Sequence, residues 1–194
     1  MATDDIYASE IKEAVGFRFV ARFSQNNTFR PQLAVTREQL VSLVLESWKG
    51  IQDANITFPS NVSIRPYSDL PISRWSTGKV LFARDKKIVS GYQDGTFKPT
   101  QPVTRAEYIG VLAIAAEFGW SARGIQPNLV AKKPSKTFLN TQNYWAASII
   151  NQLSAYCSVA AAINEIGNRY VFDDSAKQNY AAATLRRLKS VKAK

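Results

Sequence analysis

Apolar positions along this 194-residue chain recur at helical spacing in short runs, separated by stretches rich in Pro, Gly, Asn and Ser. Tyr108, Val111, Leu112 and Ala115 follow three- and four-residue intervals, and Leu40, Leu43 and Val44 do the same earlier in the chain. Each run is preceded by its own start signal. Thr104-Arg-Ala-Glu107 and Thr36-Arg-Glu-Gln39 are capping boxes, in which the Thr oxygen accepts from the third helical amide and the Glu or Gln side chain returns to the amide of the Thr. A second set of helices precedes these. One runs from near Trp75 to about Lys87, with equivalents starting near Tyr7 and Trp145. The pattern predicts a mainly α protein of six principal helices in three helix-loop-helix units. Such short helices cannot bury their apolar faces alone and must pack as one body.

The units are repeats. An offset of 68 residues carries Trp75 to Tyr7, Phe97 to Phe29, Pro99 to Pro31 and Arg105 to Arg37, and seven of the thirteen positions from Gln25 to Arg37 are identical to their partners. A third copy is fainter. "FLNTQNYWAASIINQL" parallels "YSDLPISRWSTGKVLF", whereas "YVFDDSAKQNYAAATLRRL" has no Thr-Arg pair. Matching Thr104 to Ser175 or to Asn179 places Ala176 or Tyr180 at the arginine's position, and both alignments stay open. The repeats span roughly residues 1–50, 67–119 and 137–190 of a single module. Residues 51–66 and 120–136 are linkers, as loops or short extended pieces. Asp94-Gly95 forms a tight turn, and Asn27 stands at the place of Gly95. Both residue types tolerate positive φ, which is expected at both.

Composition removes several chemistries. The chain has one cysteine, Cys157, and no histidine, so an internal disulfide, Cys/His zinc sites and histidine-assisted nucleophiles are excluded by count. Cys157 lies among Leu153, Tyr156 and Val159 and is expected in the core. No apolar run approaches the ~20 residues of a membrane span, and "MATDDIYASEIKEAV" has acidic residues where a secretory n-region would be basic. The chain is thus expected to be either cytoplasmic or a mature or excised fragment.

The net charge of +10 is uneven. Residues 119–136 carry four basic groups and no acidic one, and residues 137–194 carry seven and three. Arg186, Arg187, Lys189, Lys192 and Lys194 form a basic end, expected as a solvated helix terminus whose cations suit the helix dipole.

"GYQDGTFKPTQPVTRAEYIGVL", with an aromatic-x-Asp opening and a Trp before it, closely resembles the signature of the S-layer homology domain. The second unit matches nearly throughout, the first from Phe29 onward, and the third at Phe138, Asn140 and Trp145. The first unit lacks its opening, since only six residues precede Tyr7. The resemblance implies a non-catalytic anchor that needs no cofactor and joins three repeats around a pseudo-threefold axis. It would hold a larger exported protein at the cell surface or in the periplasm by binding a wall polysaccharide or peptidoglycan-linked polymer. It also implies that the Thr-Arg-Ala-Glu arginine contacts anionic, possibly pyruvylated, sugar groups, a role that falls on Arg105 and Arg37.

Elementary chemistry agrees with that assignment. Unpaired amides at a helix start, together with the arginine's planar donor fork, suit a carboxylate. The competing structural reading pairs Arg105 and Arg37 with neighbouring carboxylates. Trp75 and Trp145 are either core residues opening amphipathic helices or sugar-stacking platforms. Asp94 and Gly95 are explained by the turn alone, with ligand contact a consequence of its position, and Glu107 is explained by capping. Phe97 is expected to pin the loop to the core.

Three rivals stand beside the anchor. An enzyme would need a placed carboxylate pair, and none stands in a motif, since Asp173-Asp174 merely precedes a helix. Nucleic-acid binding would draw on the basic charge and fall steeply with salt. A protein–protein adaptor could keep the fold without glycan binding, which the degenerate third unit favours.

Overall fold

The computed structural model describes residues 6–16, 30–49, 56–125, 138, 140, 143–156, 158–161 and 169–189. Among these the protein is mainly α, with six helices and no strand: α1 (Ala8–Gly16), α2 (Arg37–Lys49), α3 (Thr77–Asp85), α4 (Arg105–Ser121), α5 (Ala147–Ala155) and α6 (Gln178–Lys189). α1, α3 and α5 start one or two residues after the aromatic expected to open each. α4 runs on into the segment 120–136. Asn27 and Cys157 lie outside the described residues.

Both capping boxes form. Glu107 N donates to Thr104 Oγ1 at 3.2 Å while Thr104 N donates to Glu107 Oε2 at 2.8 Å. Gln39 N reaches Thr36 Oγ1 at 3.4 Å, and Thr36 N reaches Gln39 Oε1 at 3.0 Å.

The helices pair across repeat boundaries rather than within them. α3 packs on α2, α5 on α4, and α1 returns from the beginning of the chain to α6 at its end, with α2 also against α4. The loops that feed α2, α4 and α6 close a ring of hydrogen bonds. Val35 N donates to Ala176 O at 2.8 Å, Ala176 N to Val103 O at 2.8 Å, and Val103 N to Val35 O at 2.9 Å. These three residues are 0–1% exposed, so the ring lies in the core. Burial of backbone groups requires that they be paired, and the ring pairs them across the repeats.

That ring fixes the register of the third unit. Isolated antiparallel bridges join Thr36 to Pro102, Thr104 to Ser175 and Ala34 to Lys177. Lys177 therefore stands where Thr36 and Thr104 stand, Gln178 where the arginines stand, and Tyr180 where Glu107 stands. Neither alignment weighed from the sequence places them so. The loop is longer: Thr36 and Thr104 each follow their opening aromatic by 29 positions, whereas Lys177 follows Trp145 by 32.

The basic end is not simply a solvated terminus. Arg187 is 9% exposed, donates to Glu10 Oε1 at 2.9 Å and to Ser158 O at 3.1 Å, and lies over the Tyr7 ring. Arg186 pairs with Glu13. Both arginines thus tie α6 to α1.

Candidate functional site

An arginine at the first position of α2 or α4 was expected to sit among free amides. The amides are taken. Arg37 N donates to Gln101 O at 2.9 Å, Arg105 N to Asp174 O at 2.8 Å and Gln178 N to Leu33 O at 2.9 Å. The next amides do the same, with Glu38 N on Pro99 O, Ala106 N on Phe172 O and Asn179 N on Pro31 O. With the third amide held by the capping threonine in α2 and α4 and by Asn179 Oδ1 in α6, each start is satisfied by protein, so any anion site here must rest on side chains.

The two arginines then part ways. Arg37 is half-buried and lines a groove of about 290 Å³ together with Ser90, Tyr92, Phe97, Glu107, Gly110 and Trp145. Arg37 Nε donates to Phe97 O at 2.8 Å and Nη2 to Ser90 O at 3.0 Å, which fixes the guanidinium in the loop. Its Cζ is 4.8 Å from the centroids of both Tyr92 and Phe97. Among the described residues Arg37 has no carboxylate partner, contrary to the pairing considered from the sequence. Lys98 lies 4.1 Å above the same Tyr92 ring and pairs with Asp94 at 3.7 Å.

Arg105, in contrast, is buried, at 8% exposed. Its Cζ lies 4.6 Å from the Tyr170 ring and 4.2 Å from the Tyr180 ring. Tyr170 and Tyr180 share a hydrogen bond between their hydroxyls, 2.6 Å apart, and Tyr180 also donates to Ala160 O at 2.7 Å. Tyr7 closes over Tyr180 edge-on at 6.3 Å. Burial pushes the Tyr180 phenol well up, with Arg105 pulling the other way. An aromatic shell thus surrounds the second arginine where the first faces a groove.

Both helix-opening tryptophans are exposed, Trp75 at 57% and Trp145 at 66%, so neither is a core residue, unlike Trp48 and Trp120. Trp145 lies in the Arg37 groove, its ring 3.4 Å from where a Cβ on Gly110 would stand. Trp75 lines a separate groove with Glu46 and Lys79. Asp94 and Gly95 make the turn: Gly95 has φ of +77°, and Asp94 Oδ1 accepts from Thr96 N at 3.0 Å and Thr96 Oγ1 at 2.6 Å. The Thr96 hydroxyl and amide hold the exposed Asp94 carboxyl below the usual carboxylate range.

Phe97 is 1% exposed and stacks on Tyr67 at 5.3 Å, pinning the loop to the core. Sequence reading named neither the clamp beneath that loop nor the ion pair beside it. Asp69 accepts from Phe97 N and Lys98 N, each at 2.7 Å, and so carries the loop that receives Arg37. In the third repeat Asn140 holds Tyr170 by both its amide and its carbonyl. The aromatic-x-Asp opening was the available signal. Arg74 forms a two-pronged pair with Glu38, both bonds 2.7 Å, and that hydrogen bonding raises the arginine's pKa.

The sequence profile of the S-layer homology domain, a family that anchors proteins to the cell wall, matches residues 2–41 and 66–109. Cell surface glycoprotein 1 of Acetivibrio thermocellus is 32% identical over 54% of this chain, and the Middle cell wall protein of Brevibacillus brevis is 30% identical over 57%. The Cellulosome-anchoring protein of Acetivibrio thermocellus is 26% identical over 43%. The chain spans 4%, 10% and 18% of these three relatives' own lengths. With its capping boxes, its Gly95 turn and its Asp69-clamped loop in place, the chain carries S-layer homology repeats at residues 2–41 and 66–109.

Proposed function

We propose that this chain is a non-catalytic module that holds a longer exported protein to the bacterial cell wall by binding an anionic wall glycan in the Arg37 groove. The observation that carries the reading is Arg37 itself. Two of its N–H groups hold it to loop carbonyls, no described carboxylate neutralises it, and an exposed tryptophan stands in the same groove. A guanidinium with donors to spare beside an aromatic face suits a sugar bearing a carboxylate. Arg105 serves structure in this reading, because its guanidinium lies between two tyrosine rings.

The experiment is co-sedimentation of the full chain with purified cell-wall sacculi, before and after removal of the covalently linked polysaccharide. Binding should require the polysaccharide, and both Arg37→Ala and Trp145→Ala should weaken it. A folded Arg37→Ala variant that pelleted like the parent would overturn the assignment. The protein–protein adaptor is the second reading, favoured by the tyrosine shell that covers Arg105. It predicts no dependence on the polysaccharide.

A further inference from the structure

We propose that a second groove, between residues 58–62 and the start of α3, is a subsite for uncharged sugar residues stacked on Trp75. The proposal rests on the reading of the chain as a carbohydrate-binding module and adds a second ligand class to it. The groove encloses about 590 Å³, and Trp75 and Ile72 present apolar surface in it, at 57% and 54% exposed.

Its far wall is built by a glycine. A Cβ on Gly78 would fall 2.0 Å from Pro59 O, so only glycine lets this linker backbone lie against α3. The positions equally spaced from Tyr7 and Trp145 are Glu10 and Ser148, which carry side chains that such an approach would exclude. Among the described residues, a glycine-built wall of this kind is therefore a feature of the second repeat and its linker.

Charge separates this groove from the Arg37 groove. Lys79 Nζ is 2.8 Å from Glu46 and donates to Ser42 Oγ at 2.8 Å, and Arg74 is held by Glu38. Each cation in the wall already has a carboxylate, so an anionic ligand would have to displace an existing partner. What remains is an exposed indole ring, with the paired Lys79 Nζ 5.7 Å from its centroid, beside the neutral hydrogen-bonding groups Ser60, Asn61 and Ser73. An apolar platform with a few polar groups at its edge fits the C–H face and hydroxyls of a neutral sugar.

The test uses the full ¹⁵N-labelled chain with two probes, a neutral oligomer of N-acetylglucosamine and an acidic oligomer of galacturonic acid. The neutral oligomer should shift the Trp75 indole and Asn61 side-chain amide signals. Trp75→Ala should weaken that binding about tenfold or more, whereas Arg37→Ala and raised salt should leave it nearly unchanged. Absence of shifts at Trp75 and Asn61 with the neutral oligomer, or their loss at high salt, would overturn the proposal. Sacculus binding separates the two readings. If Arg37→Ala lowers it and Trp75→Ala does not, the neutral subsite fails alone. If neither lowers it, the carbohydrate reading fails first.

Discussion

Arg37 and Arg105 hold the same place at the starts of α2 and α4 and do different work because their surroundings differ by a few side chains. Where Arg37 faces a groove containing Glu107, Arg105 faces Tyr180 at the matching position, and a tyrosine ring fills space that a capping glutamate leaves open. Arg37→Ala should therefore weaken wall-glycan binding about ten- to a hundredfold, the equivalent of about 1.5–3 kcal/mol for a charge-assisted contact, and cost only about 1 kcal/mol of stability through its two bonds to loop carbonyls. Arg105→Ala should do the reverse, costing about 2–4 kcal/mol of stability through lost cation–π contact and a cavity beneath the tyrosines. Urea denaturation and sacculus sedimentation on both variants decide it. The same buried phenols set a pH limit. Burial pushes up the Tyr108 and Tyr180 phenols, whereas in the unfolded chain they ionise near about 10. Below that value the stabilisation is fully present. As pH rises past it, the unfolded chain binds fewer protons than the folded one, so stability falls. Tyr108→Phe should make the alkaline fall in urea midpoint shallower.

Loop and helix start behave as one element, held from below by Asp69. Both Asp69 oxygens accept backbone amides, so Asp69→Asn would turn an amide donor toward an N–H, and should cost about 1–3 kcal/mol. Asn140 is no counterexample, since its two partners are one donor and one acceptor. Gly95→Val should cost more than about 1 kcal/mol through positive-φ strain, although nothing lies within 4 Å of its missing Cβ. A midpoint unchanged in either variant would contradict the account. These elements were legible in sequence for a physical reason. A capping box and a glycine turn act within three or four residues, so their code is local. The free amides imagined at Arg37 and Arg105 were a misreading for the opposite reason. Their acceptors, Gln101 and Asp174, sit more than sixty residues downstream, and nothing local to the Thr-Arg pair announces them. The third repeat escaped alignment likewise, because its register is set by hydrogen bonds to Val35 and Val103 across an enlarged loop.

At the scale of the whole molecule, each first helix of a repeat packs on the second helix of another, and the cycle closes only because α1 meets α6. The chain's beginning is thus a structural member and not an appendage. Tyr7 and Ile11 are 5% and 3% exposed, and burying such side chains is worth about 1.5–3 kcal/mol each. The flanking ion pairs differ in burial. Glu10 meets an arginine whose side chain is 10% exposed, while Glu13 is itself 46% exposed. Glu10→Gln should therefore cost more than Glu13→Gln, whose effect should stay below about 1 kcal/mol and vanish at high salt. Ile11→Ala should cost about 2–4 kcal/mol. Because α6 begins at the buried ring shared with α2 and α4, that loss should appear as one cooperative transition shifted to lower urea, followed equally by fluorescence of the four tryptophans, which sit in or just before α2, α3, α4 and α5, and by far-ultraviolet circular dichroism of all helices. If Ile11→Ala instead split the transition, with the fluorescence midpoint unmoved, α1 and α6 would form a separate unit and the ring would not couple the repeats.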